Sequence, residues 1–532
     1  VDRRGFLRAS AGLGGVALLG GCVLPEGFGP PVYVPPSDGT PFTLGVASGL
    51  HSASEVVLWT RVEPSLADGA STLGWTVASD PAMETVVASG TVEVSAASDH
   101  TAKVLVGGLQ PDRSYWYRFG IAGAQSPLGR ARTLPAAGAV TPLRLAFCSC
   151  QNWQSGWYNA WEGIAAEDLD AVVFLGDYIY ESAGSAGIGD VRRDPVGESA
   201  TLETYRAKYR LYRSDPSLRR AHAAHPLVPV WDDHEFKDNF NRYDVEVEDP
   251  ARAQAGFRAW FEYMPVWPID GFRIHRSLRW GSVGELFLLD TRQYRDIQAD
   301  GHEAHGSFVG AGRTIRTAAA PDRSILGASQ RAWLLDGLEG AQGDGVAWKL
   351  VGNQVMISPL RIADLDEPIF RQLDPTRPRH DGIYLNMDDW DSYLWERDLL
   401  LAHLHDRKIG DVGVLTGDIH SFWQASVRAD FDDLGSPFVL NEFVGGSISS
   451  TGPGILGDGA RSIEPAPPAW SPPFRYVDFR RNGYGVVSVT PDRMTVAYRV
   501  CDVKFPGSPV LTSVRFLVNR GDPVPTVEYL NP

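Results

Sequence analysis

Cysteine is scarce in this chain, with four residues in 532, and so is methionine, with five. Four cysteines do not frame a fold of this size with disulfides. Positive charge is also short: 49 Lys and Arg face 65 Asp and Glu, a net charge of −16. That balance speaks against non-specific nucleic-acid binding. It leaves an anionic substrate open, because bound cations can be the largest local charges in a site. The chain has no Gly-x-Ser-x-Gly elbow and no Gly-x-Gly-x-x-Gly turn after a strand-like run. Serine hydrolases and dinucleotide enzymes are therefore poor fits. It also has no internal repeat.

Apolar and aromatic residues are plentiful. They include 16 Trp, 18 Tyr and 22 Phe, and 43% of the chain is hydrophobic. Such a chain builds large cores, and its length implies more than one domain. Residues 1–22 read as an export signal: Arg3-Arg4-Gly-Phe-Leu-Arg8 resembles a twin-arginine motif. Ala9 to Gly21 is weakly apolar and too short to span a bilayer. Leu19-Gly-Gly-Cys22 resembles a lipobox, so lipidation of Cys22 is the one membrane attachment expected, after passage through the twin-arginine export machinery. The expected location is the periplasm or the cell surface. Residues 23–42, rich in Pro and Gly, read as a stiff tether.

Residues 43–135 contain about seven strand-like runs and predict a fibronectin- or immunoglobulin-like β-sandwich. Within it, Leu109-Gln-Pro-Asp-Arg-Ser-Tyr115 is similar to a tyrosine corner. The sandwich shows no chemistry-bearing cluster and reads as a structural or spacer domain. From residue 143 to 515 strands alternate with helical patterns, which predicts a layered α/β domain. The late run Gly485 to Arg499 reads as a hairpin and favours two stacked sheets flanked by helices. Residues 516–532 read as a tail.

Six hydrophobic runs in that region end in polar, metal-capable clusters. They lead into Cys148-Ser-Cys150, Gly176-Asp177-Tyr-Ile-Tyr180, Asp232-Asp233-His234-Glu235, Asp290-Thr-Arg292, Asn353-Gln354 and Gly417-Asp418-Ile-His420. Short buried strands stop together at one sheet edge, so their terminal loops converge, and open α/β sheets carry their sites there. Asp177 has two oxygens with which to bridge two cations. A phenolate from Tyr180 suits Fe(III), whereas the plain alternative has Tyr178 and Tyr180 packing the loop. In the acidic cluster one Asp ligates and the other braces, with Asp233 taken as ligand. His234 then stands near the metals, free to protonate a leaving group; the alternative is an exposed acidic turn. Asp418 and His420, at i and i+2, share a face if the segment is extended. Asn353 offers an amide oxygen suited to Ca²⁺, and Cys150 a thiolate suited to iron or zinc. Arg292 either clamps a phosphate oxygen or braces Asp290. Cys148 and Cys150, at i and i+2 on a strand, point to one face at a separation that disfavours a mutual disulfide, and pairing of either with Cys501 stays open. The ten histidines outside these clusters, His222 and His380 among them, read as surface or satisfied-core residues.

Taken in order, these motifs, with Leu326-Gly-Ala-Ser-Gln-Arg-Ala-Trp-Leu334 between them, resemble those of the PhoD-like alkaline phosphatases, from about residue 40 to about residue 515. The resemblance implies a small β-sandwich followed by a calcineurin-like metallophosphoesterase domain. It implies hydrolysis of phosphate mono- and diesters at one Fe(III) with Ca(II). Iron would take Cys150, Asp177, Tyr180 and His420; calcium would share Asp177 and add Asp233, Asn353 and Asp418. Cys150 stands where an Asp-x-His pair opens the general metallophosphoesterase pattern, which weakens a two-zinc or two-manganese reading. Two other readings stay in view: an enzyme specialised for one diester, and a catalytically silent surface lipoprotein. PhoD-like enzymes can carry a C-terminal extension that gates the site, and no extra helix is evident after Arg515.

Overall fold

The computed structural model describes residues 39–67, 69–183, 190–299, 301, 313–366, 368–453, 458–464 and 473–531. The twin-arginine motif, Cys22 and most of the tether lie outside the described residues.

The short apolar runs form strands buried on both faces, as in Leu143–Cys148, Ala171–Phe174, Trp348–Asn353 and Val412–Thr416. Double-sided burial is what a near-continuous Val/Leu/Phe run specifies. They belong to two sheets. The ten-stranded sheet is parallel at its centre, where Leu143–Cys148, Ala171–Phe174 and Leu227–Pro229 lie side by side. The seven-stranded sheet has Gly284–Leu288, Trp348–Asn353, Val412–Thr416 and Phe438–Gly445 as its parallel centre. One core joins them, with Phe147, Val172 and Val486 from the first sheet packed among Leu288, Leu350, Leu415 and Phe443 from the second. The approach is close. A Cβ on Gly352 would stand 3.3 Å from Leu175, and one on Gly445 would stand 2.8 Å from Phe147.

Helices cover both outer faces. Leu202–Arg213 starts at a Thr201 capping box, and Pro216–Ala224 at an Asp215 cap. With Pro250–Tyr263 they bury tyrosines, Leu218, Phe257 and Trp260 toward the ten-stranded sheet. Gly327–Gly343 and Leu394–Asp406 pack Leu334, Leu338, Leu401 and Leu404 against Phe287, Val351 and Val414 of the other sheet. The result is the expected two-sheet sandwich flanked by helices. No helix among the described residues is long and apolar enough to cross a membrane.

The N-terminal β-rich region is less separate than a spacer. Thr72–Ala78, Val86–Glu93 and Ser114–Ile121 belong to a five-stranded sheet, which shares a core with Val56, Leu58 and Val106. Those three lie on strands that extend the ten-stranded sheet through the pair Gly49 and Leu227. Trp59 Nε1 also donates to the carbonyl of Glu262, 2.8 Å away. The tyrosine corner is present: Tyr115 Oη accepts the N–H of Gln110 at 2.9 Å.

The C-terminus corrects the expectation of a tail. Leu511–Asn519 buries Val514, Phe516 and Val518, and Thr526–Tyr529 forms the edge of the ten-stranded sheet. The expected hairpin is present as Asn482–Val489 paired with Arg493–Cys501. Cys148, Cys150 and Cys501 are buried and free, so neither open pairing with Cys501 is made.

Candidate metal centre

The strand-end loops meet between the two sheets, and their backbone takes conformations that side chains seldom accept. Cys150, Asp177, Asp418 and His420 all have left-handed φ, between 52° and 62°. Such residues persist only where surrounding contacts hold them, and they cluster at functional sites. Here the contacts are explicit. The Cys150 N–H donates to Gly176 O and the Gln151 N–H to Asp177 O, each at 3.1 Å. The Glu235 carboxylate, fully buried, accepts the N–H groups of Asp177 (2.9 Å), Tyr178 (2.7 Å) and Asp232 (2.9 Å). The Gln354 amide donates to Trp231 O and Leu289 O at 3.0 and 2.7 Å, tying loops of both sheets together. Gly176 is required where it stands, because a Cβ there would lie 2.3 Å from that of Asp232.

These turns overturn the extended geometry assumed for two pairs. The strand before Cys150 ends at Cys148, and the strand before Asp418 ends at Thr416. Cys148 and Cys150 therefore do not share a strand face. Asp418 and His420 do not share one either, but enter different halves of the site.

In the first half, ligand atoms of Cys150, Asp177 and His420 lie within 4.8 Å of one another. Tyr180 Oη joins them, 2.8 Å from Asp177 Oδ2 and 3.2 Å from His420 Nε2. Tyr180 is thus part of the cluster and more than a packing residue. His420 Nδ1 donates to the carbonyl of Thr451 at 2.9 Å. That bond fixes the tautomer and turns the Nε2 lone pair toward the cluster. Burial lowers the His420 pKa to about 4, which keeps the ring neutral. Burial, then the charges of Asp177 and Asp418, pushes the Cys150 thiol up; burial and Asp177 do the same to Tyr180. A thiol, a phenol, a carboxylate and an imidazole lone pair thus converge where a cation would relieve crowding of lone pairs.

In the second half, carboxylate oxygens of Asp232, Asp233 and Asp418 lie within 4.8 Å of one another, and Asp177 clusters with Asp233 and His234. Asp177 therefore belongs to both halves. Arg292 is wholly buried among the acids, with Nη1 2.7 Å from Asp388, Nη2 3.2 Å from Asp418 and 3.7 Å from Asp233, and Nε paired with Asp232. This corrects both readings of Arg292. Its fork is spent on carboxylates and is not open to a phosphate, and Asp290 receives only its backbone N–H, at 3.1 Å. Arg295 Nη1 adds a second pair to Asp388 at 2.9 Å, and two guanidiniums do not neutralise four acids. Asp232 Oδ2 and Asp233 Oδ1 are buried with no hydrogen bond, and burial, opposed by Arg292 and aided by repulsion from Asp388 and Asp233, lifts the Asp418 pKa to about 7. Buried acids under such repulsion are a fitting seat for a divalent cation.

Asn353 ends its strand in register with Thr416, two residues before Asp418. Its amide donates to Val355 O, and its Oδ1 faces the Trp390 indole N–H at 3.4 Å. His234 is partly exposed. Its Nδ1 pairs with Glu181 at 2.7 Å, and its ring lies 4.1 Å from that of Tyr180. Burial opposes its charge, but Asp233, Glu181 and Asp177 prevail and raise its pKa well above 6.5. The acidic cluster is therefore no exposed turn. Asp388, in Asn386-Met-Asp-Asp-Trp390, escaped the sequence reading because no apolar run leads into it. Ser450, 2.7 Å from Tyr180 Oη, carried no motif signal.

Family models fit this arrangement. One described as PhoD-like phosphatase matches residues 145–498, and one for the PhoD-like phosphatase N-terminal domain matches residues 31–135. The chain belongs to the PhoD-like phosphatase family. It is 32% identical to alkaline phosphatase D of Bacillus subtilis (strain 168), over 98% of this chain and 88% of that protein. A solved structure of PhoD superposes with a TM-score of 0.80 at 31% identity, covering 93% of each chain. A purple acid phosphatase from yellow lupin shares the fold, with a TM-score of 0.52 at 10% identity over 90% of this chain and 74% of that one. As a PhoD-like phosphatase, the chain is a phosphoric ester hydrolase with a metallophosphoesterase fold.

Proposed function

We propose that this PhoD-like phosphatase is exported and hydrolyses phosphate mono- and diesters at an Fe(III)/Ca(II) centre, releasing phosphate for uptake. The carrying observation is the convergence of Cys150, Asp177, Tyr180 and His420 beside a cluster of buried carboxylates. A thiolate and a phenolate are charge donors suited to Fe(III). Asp177, Asp233, Asn353 and Asp418 offer only oxygen and suit calcium. When bound, such ions supply Lewis-acid polarisation of the phosphoryl group and make water a stronger nucleophile at mild pH.

The chain's own residues do the rest. Arg292 holds Asp232, Asp388 and Asp418 in place and balances part of their charge when a phosphate enters. Glu181 braces His234 Nδ1, which leaves Nε2 to give its proton to the departing alkoxide oxygen. The alcohol leaves neutral, and the imidazole is reprotonated from solvent. The N-terminal motifs supply the export half of the reading. Arg3-Arg4 would direct the folded chain to twin-arginine export, and Cys22 would carry lipid outside, where calcium is plentiful.

Metal analysis of the exported protein, with assays on a panel of mono- and diesters, tests this reading. The expected result is one iron per chain, loss of activity with a calcium chelator while iron stays, and recovery with calcium but not zinc or magnesium. A colourless enzyme fully active with two zinc ions would overturn it.

A further inference from the structure

Ser450 lies in the loop after Phe438–Gly445 and is buried. Its carbonyl is pinned by Ser447 Oγ and Asn482 Nδ2, each 2.9 Å away. Its hydroxyl oxygen stands 2.7 Å from Tyr180 Oη, accepts the N–H of Asn152 at 3.0 Å, and donates its hydrogen to the Cys150 carbonyl at 2.8 Å. One side chain thus links Tyr180 and the Cys150 backbone to a third loop.

The hydrogen count around Tyr180 gives this contact its meaning. A phenol has one hydrogen to give, and Asp177 Oδ2 and Ser450 Oγ both stand ready to accept it. Once Tyr180 binds an ion its proton has gone to solvent and the oxygen only accepts. Asp177 is a carboxylate. His420 presents a lone pair at Nε2, because its hydrogen sits on Nδ1 facing Thr451. Among the described residues hydrogen-bonded to that oxygen, Ser450 alone keeps a hydrogen to offer. Turning that hydrogen away from Cys150 does not orphan the carbonyl, which also accepts the N–H groups of Ser449 and Ser450 at 3.3 and 3.2 Å.

We propose that Ser450 is a positioning residue for the metal centre: its hydroxyl donates to the Cys150 carbonyl while Tyr180 is a phenol, and rotates to donate to the Tyr180 oxygen once that oxygen holds an ion. This rests on the ferric reading above. A hydrogen bond to a coordinated phenolate stabilises the donated electron pair, so it raises the energy of the phenolate-to-iron absorption band. The test uses full-length, iron-loaded protein as wild type, Ser450→Ala and Ser450→Thr, comparing the visible absorption maximum at matched iron content. Ser450→Ala should move the band to longer wavelength, and Ser450→Thr, which keeps the hydroxyl, should return it toward wild type. An iron-loaded Ser450→Ala with the wild-type maximum overturns the proposal and leaves the ferric reading standing. A wild type without iron overturns both. Loss of iron from both variants would assign Ser450 to loop packing and overturn the proposal as well.

Discussion

Glu235 is the sharpest place to test how the site is held. Its carboxylate lies wholly inside the protein and accepts three backbone N–H groups from two strand-end loops. Those loops carry Asp177 and Asp233, and the Asp177 turn has a left-handed backbone. Glu235→Ala leaves three buried donors without a partner. Each costs about 1–3 kcal/mol, and water entering the space left behind offsets part of that, so the net loss should be about 3–5 kcal/mol. Against a total stability of about 5–15 kcal/mol, that is a large fraction. Glu235→Gln keeps the oxygen for Asp177 and Asp232 in one orientation but points its NH₂ at the Tyr178 N–H. It should lose about 1–3 kcal/mol, the cost of one orphaned donor. Denaturant unfolding of metal-depleted protein gives both values, and metal content of the as-purified variants reports whether Asp177 still reaches its place. The order should be wild type, then Gln, then Ala. An Ala variant as stable as wild type, with full metal, would refute the claim that Glu235 fixes these loops.

Tyr180→Phe keeps the ring against His234 and removes only the oxygen, so it should fold, shift or lose the visible band, and lose at least about tenfold in activity, or about 1.4 kcal/mol of barrier; full activity with an unchanged spectrum would remove Tyr180 from the ligand set. His380 is buried between Asp398 (2.7 Å from Nε2) and Asp432, and these carboxylates raise its pKa above 6.5 although burial opposes the charge. Its stabilising contribution is therefore present below pH 6.5 and lost as pH rises through the raised folded value, and His380→Gln should reduce that alkaline slope in thermal melts. The Asp432 pKa is lowered from 3.8 to about 2, by His380 and Arg361 against the opposing effect of burial, so its contribution is present above pH 3.8 and disappears as pH falls toward 2; an unchanged acid limb in Asp432→Asn would count against the pair. Cys22→Ala should release the protein from membranes with activity intact, and a wild type already soluble after export would end the lipid-anchor reading.

The sequence made the strand ends legible because each buried run stops at a polar cluster. Leu145 to Cys148 and Val172 to Phe174 are neighbours in one sheet and Val412 to Thr416 lies in the other, so the loops that meet at the site come from two sheets and not from one edge. Asp388 was not legible by that logic, since it follows the three-residue strand Gly382–Tyr384, which pairs in a separate two-stranded sheet. The C-terminal strand was open to detection, because Val514, Phe516 and Val518 alternate inward as a half-buried strand requires. Arg292 was identified as a site residue and misread in role. A motif gives its position, but not that acids from three other segments would close around its guanidinium.

The deeper limit concerns handedness. Asp418 and His420 are two residues apart, and an extended segment would aim both at one ion. Both instead adopt left-handed φ, 62° and 52°, a conformation that hydrophobic periodicity does not encode. The turn sends Asp418 to the carboxylates around Arg292 and His420 to Tyr180 and Cys150. A left-handed non-glycine residue costs about 1–3 kcal/mol, which the surrounding contacts must offset. Four such residues, two following strands of each sheet, place that strain on the residues that would grip the ions. Loading should therefore stabilise these loops more than it stabilises the distant five-stranded sheet. Hydrogen exchange on metal-depleted and reloaded protein measures this directly. Protection should rise first at the amides of Gln151, Tyr178 and Ile419, while those of Thr76 and Phe119 stay unchanged. Equal change in both regions would mean that the turns are held by the fold alone.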